Sequence, residues 1–318
     1  MNKCLYCYQE ITDKEFVKFE FHKSCSKKFF GKPTPPILDY KQEEMFELAK
    51  KVVKSQKTVT GVQPKISLGS KKVSGDSRSE KFTIVGLWGE YILKPQTGFY
   101  EQLPQIEDLT MHLAELSRIK TVKHSLIRLK SGELAYITRR VDRLKNRKWH
   151  MEDMCQLTEK LTEHKYRGSY EQIAKTIKLY SANPGFDIVN FHELVLFCFL
   201  TGNNDMHLKN FSLLKGTDLN YNLCPAYDLV ASELVVEGDD EELALNLNGK
   251  KKKLKRKDFL IAMKTSGMNE KSIENVFRKF ENLLNVWHEF IRKSFLKEAF
   301  KEAYHEMIEA KFKQMEMK

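Results

Sequence analysis

The sequence predicts an α+β protein of two parts, one mixing strands with helices and one mainly helical, preceded by a small cysteine-bearing extension. Three observations predict this. Three of the six cysteines fall within the first 31 residues. Short strand-like runs and amphipathic helical stretches then mix over about residues 41–183. Beyond that point nearly every apolar spacing is helical. The expected boundaries are 1–31 for the extension, 32–140 for the mixed part and 141–318 for the helical part.

The 318 residues are enough for one large or two medium domains, and 41% apolar with 31% charged residues is an ordinary globular composition. Lys plus Arg exceeds Asp plus Glu by 54 − 43 = 11, which favours polyanionic partners without choosing among them. Residues 4–30 carry charges throughout and do not resemble a leader, and the longest apolar stretch, residues 194–200, is too short to cross a bilayer. The cysteine pattern is not that of a secreted disulfide framework. The expected location is cytoplasmic, with no membrane partner.

Element by element, residues 16–21 alternate as a strand does, and the Pro-rich stretch 31–37 reads as a stiff connector. A helix is predicted over 43–55, with Met45, Leu48, Val52 and Val53 on one face. Strands are predicted at 65–68, 81–85 and 90–93, then a helix from Pro104 to about Ser117 with Ile106, Leu109, Leu113 and Leu116 in register. A strand at 134–138 follows. The helical part begins with a helix over 189–200, apolar on most sides and broken by Thr201-Gly202-Asn203-Asn204. Strands at 211–214 and 221–223 form a hairpin. Residues 257–313 read as three helices.

Within this frame lies a set of residues suited to phosphoryl transfer. That chemistry needs cations for the phosphates, a carboxylate for the acceptor hydroxyl and hard oxygen ligands for Mg²⁺. Protein kinases supply them in a fixed order: Gly-bearing loop, strand Lys, helix Glu, an Asp five residues before an Asn, then a metal-binding Asp. Here Gly61-Val62-Gln63-Pro64-Lys65 precedes a strand, Lys94 ends one, and Glu107 lies in the next helix. Asp205-Met206-His207-Leu208-Lys209-Asn210 has the required spacing, and Asp228 follows a short hairpin. Singly, each has a plain structural reading: a turn cap for Asp205, a solvated strand end for Lys94, a first-turn carboxylate for Glu107, a turn residue for Asp228. Together, in this order, they point to a kinase.

These segments, with Tyr91-Ile92-Leu93-Lys94-Pro95, His150-Met151-Glu152-Asp153-Met154-Cys155-Gln156, Asn204–Phe211 and Ala226-Tyr227-Asp228-Leu229, resemble the signature stretches of HipA-type toxin kinases. The likeness runs from about residue 56 to the C-terminus. It implies a bilobal, protein-kinase-like fold with a mixed N-lobe and a mainly helical C-lobe. The implied activity is an ATP- and Mg-dependent Ser/Thr protein kinase, a toxin of a toxin–antitoxin system that phosphorylates an aminoacyl-tRNA synthetase and arrests translation. A small DNA-binding antitoxin would restrain it, with DNA engaged only indirectly. By the same resemblance Asp205 is the catalytic base, Asn210 and Asp228 hold magnesium, and Lys94 holds the α- and β-phosphates. Arg139, Arg140 and Val141 form the strand-end hinge beside adenine, and His207 and Lys209 touch phosphate.

Two departures stand out. Relatives often carry a regulatory serine in the loop before Gly61, whereas this chain has Thr58-Val59-Thr60, either threonine being a candidate autophosphorylation site or an ordinary strand-end residue. Only about 55 residues precede that loop. This is closer to the short HipT-like members, whose missing N-subdomain is a separate small protein, so such a partner is expected.

Cys4-x2-Cys7 with His22-x2-Cys25 has the spacing of a structural zinc knuckle, in which a metal would help so short a segment to fold. The plain alternative is a set of ordinary cysteines docked on the domain. Residues 250–257, with seven basic residues in eight, read as a solvated loop or as a patch for tRNA or an acidic protein face. Cys155, Cys198 and Cys224 read as structural thiols, and His112 and His192 as core or surface histidines. The rival to an active kinase is a kinase-fold binding protein that contacts nucleic acid or an antitoxin complex without turnover.

Overall fold

The computed structural model describes residues 2–45, 47–48, 64–73, 76–85, 88–144, 147–236, 238 and 240–317. The chain divides into two compact units. One comprises Met1–Asp108, Val122–Asn146 and Lys293–Phe295; the other comprises Leu109–Thr121, Arg147–Arg292 and Leu296–Lys318. The cysteine-bearing segment thus belongs with the strands that follow it and is not a body of its own.

In the first unit, the alternating run at 16–21 is not a strand. Asp13 accepts a hydrogen bond from Glu15 N at 3.0 Å and so caps a one-turn helix, α1 (Lys14–Val17). The chain then turns through Glu20 at φ 55, which buries Phe16 and Phe21 from two different turns instead of one strand face. Helix α2 (Lys23–Phe30) starts after the extended residue His22 and stops at Gly31, whose φ of 80 suits glycine and whose N–H closes on Lys27 O. After the connector, Ile37 is tied to Glu80 O at 2.7 Å. Residues 42–45 and 47–48 are helical; the rest of the helix predicted to residue 55 lies outside the described residues.

Five antiparallel strands follow: β1 (Ile66–Val73), β2 (Asp76–Ile84), β3 (Tyr91–Lys94), β4 (His124–Arg128) and β5 (Leu134–Arg139), in the spatial order β2-β1-β3-β5-β4. Alternation sets the faces: Ile66 and Leu68 on β1, and Tyr91 and Leu93 on β3, point inward. Gly132, at φ 105, closes the β4–β5 hairpin by donating to Leu129 O. Aromatic rings seal one face: Phe30 meets Phe29 at 4.7 Å, and Phe82 meets Tyr91 at 5.3 Å, both edge-on. Leu126 N and Ser125 Oγ on β4 both donate to Leu5 O, so the N-terminal segment is stitched to this sheet. Helix α3 (Leu103–Leu116) begins in this unit and ends in the other.

In the second unit, a three-stranded antiparallel sheet has β6 (Met151–Asp153), β7 (Ser212–Lys215) and β8 (Tyr221–Leu223) in the order β8-β7-β6. Pro184 at its first turn starts the buried helix Pro184–Leu200. Where three terminal helices were expected there are four: Arg256–Thr265, Glu270–Glu281, Leu284–Arg292 and Glu298–Gln314. The three breaks between them have local causes, Gly267 at φ 83 followed by the Asn269 cap, and the turns after Glu281 and Arg292. Trp287, fully buried, packs edge-on against Phe197, Phe280 and Phe312, with centroids 5.6, 6.0 and 5.6 Å away. Its Nε1 donates to Ser117 Oγ at 3.1 Å. Among the described residues no helix is long and apolar enough to cross a membrane.

Candidate active site

The second unit brings Asp205, His207, Lys209 and Asn210 together on one turn. The helix Pro184–Leu200 ends at Thr201, and Gly202, at φ 63, lets the chain reverse; a Cβ there would collide with Met307 Sδ. Asn204 N donates to Ser232 Oγ at 2.9 Å, which anchors the start of the turn. His207 N closes on Asp205 O, and Asn210 N on His207 O, each at 2.9 Å. Asn210 Nδ2 donates to Asp205 O at 3.0 Å. With its nitrogen so committed, the amide oxygen of Asn210 is the atom suited to a hard cation.

Asp228 sits on a second turn pinned to the first. The hydroxyl of Tyr227 donates to Lys209 O at 3.0 Å and pairs with Ser212 Oγ at 2.5 Å. Asp228 itself adopts φ 57, a left-handed conformation uncommon for a residue with a Cβ. Both Asp205 and Asp228 act electrostatically on the ring of His207. Burial pushes the His207 pKa down to about 4, opposed by the pull of Asp205 and, more weakly, Asp228. His207 is therefore neutral at physiological pH. Oxygen donors of this kind, one amide and one carboxylate on adjoining turns, fit a magnesium ion that keeps phosphate and water as its other ligands.

Two contacts here were not legible in the sequence. Tyr166 Oη donates to Asp205 Oδ1 at 2.5 Å, its ring edge-on to His207 with centroids 5.0 Å apart. Lys209 Nζ lies 2.6 Å from Asp153 Oδ2. Asp153 also caps the short helix Met154–Leu157 in a reciprocal box with Gln156. The stretch around Asp153 thus braces the Asp205–Asn210 turn, and Lys209, expected to touch phosphate, is engaged with a carboxylate in this structure. No spacing signal marks Tyr166.

In the first unit, Lys94 at the end of β3 meets Glu107 on α3, Nζ to Oε1 2.5 Å, with side-chain exposures of 5% and 1%. Lys94 Nζ also stands 5.3 Å from the centre of the Tyr136 ring. Pro64 and Lys65 lead into β1, and Lys65 is exposed. Gly61, Val62 and Gln63, with Thr58 and Thr60, lie outside the described residues. At the end of β5, Arg139 N donates to Lys123 O and Arg140 N to Glu90 O, each at 2.8 Å, while Arg140 pairs with Asp142 at 3.0 Å. Val141 is half-buried on the same connection.

The ligand atoms of Cys4, Cys7, His22 and Cys25 all lie within 4.8 Å of one another. His22 Nε2 is 3.0 Å from Glu10 O, which suits a protonated Nε2 and leaves Nδ1 as the lone-pair nitrogen. That Nδ1 is 3.4 Å from Cys7 Sγ and 3.7 Å from Cys25 Sγ. Hydrogen bonds from the Cys25 and Cys7 thiols pull the Cys4 thiol below its ordinary range. Three sulfurs and one imidazole nitrogen facing one point are the donor set of a tetrahedral thiophilic ion.

A family model described as the HipA-like C-terminal domain matches residues 58–287, well over half of the sequence. The chain belongs to the HipA-like family. Among its relatives is a Sinorhizobium fredii protein named "Putative kinase Y4dM", 31% identical over 209 residues, which cover 61% of this chain and 49% of the relative. Another, from Haemophilus influenzae and named "Putative kinase", is 29% identical over 212 residues, or 62% of this chain and 58% of the relative. The HipA-like chain thus spans only about half the length of these curated relatives. Among solved structures, HipA of Shewanella oneidensis, determined as a toxin–antitoxin complex with HipB and operator DNA, matches with a TM-score of 0.67 at 20% identity, covering 84% of this chain and 70% of that one. The Helicobacter pylori proinflammatory kinase CtkA matches with a TM-score of 0.55 at 16% identity, covering 79% and 93%. The fold is accordingly α+β and kinase-like.

Proposed function

We infer that this HipA-like chain is an ATP- and Mg-dependent Ser/Thr protein kinase and the toxin of a toxin–antitoxin pair. The observation that carries the reading is the buried Lys94–Glu107 pair. Two charges removed from water cost several kcal/mol that hydrophobic residues of the same size would not. A lysine held on β3 by a helix carboxylate has a use that justifies that cost, namely orienting a cation toward nucleotide phosphates. In this reading Asn210 and Asp228 would hold magnesium, whose positive charge would offset that of the phosphates. Asp205 accepts the proton of the acceptor hydroxyl as it attacks the γ-phosphorus. Neutral His207 adds no positive charge beside the metal. The backbone of Arg139, Arg140 and Val141 would face adenine, and Gly61 to Lys65 would cover the phosphates. Thr58 or Thr60 would be the autophosphorylation site.

The protein substrate in this reading is an aminoacyl-tRNA synthetase. The resemblance to HipA-type toxins supports that, and the Shewanella structure with HipB and operator DNA supports a small DNA-binding antitoxin as partner. A separate small N-subdomain-like protein is a further partner. The Cys4, Cys7, His22 and Cys25 donors would hold a structural zinc ion. The rival reading is a kinase-fold binding protein that contacts nucleic acid or an antitoxin complex without turnover, and it draws on the basic stretch 250–257. Lys250 pairs with Asp258, Lys251 with Glu241 and Lys252 with Asp240, at 2.8, 3.0 and 2.5 Å, so these cations are matched within the chain.

The test is transfer of label from γ-labelled ATP with Mg²⁺ to proteins of a bacterial lysate, with wild type beside Asp205→Ala. Transfer to seryl or threonyl groups that falls at least about 100-fold in Asp205→Ala supports the reading. Nucleotide-independent binding of DNA or tRNA with no transfer by wild type overturns it.

A further inference from the structure

The thiol and imidazole donors near the N-terminus connect to the Lys94–Glu107 pair through a buried polar chain that phosphoryl transfer alone does not demand. The Cys4–Cys7 loop runs directly into Tyr8, held at φ 63 with its N–H donated to Cys4 O at 3.0 Å. Tyr8, only 3% exposed, donates its hydroxyl to Asp108 Oδ2 at 2.8 Å. Its ring meets Phe295 edge-on, 4.9 Å between centroids, so the phenol has little room to swing. The other Asp108 oxygen, Oδ1, meets His124 Nδ1 on β4 at 2.7 Å. Asp108 directly follows Glu107 on α3. The His124 ring lies nearly parallel to Tyr136, the ring over which Lys94 Nζ stands.

Every link in this chain belongs to the first unit. A carboxylate buried as fully as Asp108 tolerates little displacement from the donors that stabilise its charge. Its place is therefore tied to Tyr8, and the place of Tyr8 is tied to the loop bearing two of the four metal-type donors. A tetrahedral ion on Cys4, Cys7, His22 and Cys25 would fix that loop against α2.

We propose that a thiophilic divalent cation on these four donors, zinc by their chemistry, acts as a clamp on the nucleotide site. The occupied loop holds Tyr8 on Asp108, and Asp108 sets the turn of α3 that delivers Glu107 to Lys94. Tyr8, Asp108 and His124 act in this proposal as positioning residues. The proposal rests on the kinase reading of Lys94 and Glu107 and adds to it a dependence of nucleotide affinity on metal occupancy.

The experiment uses the full-length chain and three readouts: zinc released to a chromogenic chelator on thiol modification, thermal unfolding, and equilibrium binding of a fluorescent ATP analogue with Mg²⁺ in large excess. Wild type is expected to carry one zinc ion, and stripping it with a zinc-selective chelator is expected to weaken analogue binding about tenfold. Tyr8→Phe is expected to keep its zinc and yet show the same weakening, with little further loss on stripping, a non-additivity that general destabilisation would not produce. Should stripping unfold the chain, zinc-loaded Tyr8→Phe and Asp108→Asn still decide the matter, since both leave the four donors intact. Wild type that takes up no zinc, even when zinc is supplied, overturns the proposal. So does a zinc-loaded Tyr8→Phe variant that binds the analogue as wild type does. Wild type that binds no ATP analogue at all is a different outcome: it sinks the kinase reading itself, and the clamp with it.

Discussion

Replacing Glu107 by Gln would leave the ammonium of Lys94 buried without its nearest carboxylate. At 2.5 Å and with exposures of 5% and 1%, the pair has a gross Coulomb attraction of about 7 kcal/mol at an effective dielectric of about 20. Desolvation offsets much of this in the intact pair, but removal of one partner exposes the full penalty of the other, about 3–5 kcal/mol. Glu107→Gln should therefore lower the unfolding free energy by about that amount. The double replacement Lys94→Met with Glu107→Met removes both charges and fills a similar volume, so it should restore stability to within about 1–2 kcal/mol of wild type. If the pair exists for nucleotide and not for the fold, that restored protein should still be inactive. Urea unfolding monitored by tryptophan fluorescence reads the stability, and transfer from labelled ATP reads the function. A double variant that is as stable as wild type and still phosphorylates would refute the assignment of Lys94.

Tyr166→Phe removes the hydroxyl on Asp205 Oδ1 that would compete with an acceptor hydroxyl for this carboxylate. A rise of about two- to fivefold in kcat/KM for a peptide acceptor is expected, with KM for ATP unchanged. His192, buried beside Ser266, has its pKa pushed from 6.5 down to about 3 by burial and, less, by Lys178. Because its folded pKa lies below its unfolded one, its contribution is complete above about pH 6.5 and declines as pH falls toward 3, by up to about 1.4 kcal/mol per pH unit. His192→Gln should flatten the acid limb of a stability–pH curve measured by denaturant unfolding. Gly202→Ala would force a Cβ into left-handed backbone against Met307 and Glu233. It should cost about 1–3 kcal/mol and lower the melting temperature by several degrees.

What the sequence disclosed about the site is what local spacing encodes. The Asp205–Asn210 interval, the strand ending at Lys94 and the four donors at Cys4, Cys7, His22 and Cys25 each depend on a few neighbouring residues, and the structure gathers each set locally. The strands expected at 65–68, 81–85, 90–93 and 134–138 overlap β1, β2, β3 and β5, whereas β4 was missed because four of its residues in a row are buried and leave no alternation to read. The run at 16–21 misled because alternation of Phe with charged residues also fits a capped helical turn followed by a reversal, and the Asp13 cap decides between them. The four terminal helices were merged into three because the turn after Glu281 carries neither Gly nor Pro. Tyr8 with Asp108, and Tyr166 with Asp205, are 100 and 39 residues apart. No periodicity or motif connects positions so distant, and only the fold brings them into contact. The pairing of Lys209 with Asp153, 56 residues away, was likewise invisible to local spacing.

The proposed function turns on Asn210 and Asp228 holding one magnesium ion between them. A crystal structure of the chain with Mg²⁺ and a non-hydrolysable ATP analogue tests this directly. The expected result has the Asn210 amide oxygen and an Asp228 carboxylate oxygen both about 2.1 Å from the same ion. An analogue bound elsewhere, or an ion that neither Asn210 nor Asp228 touches, would contradict it.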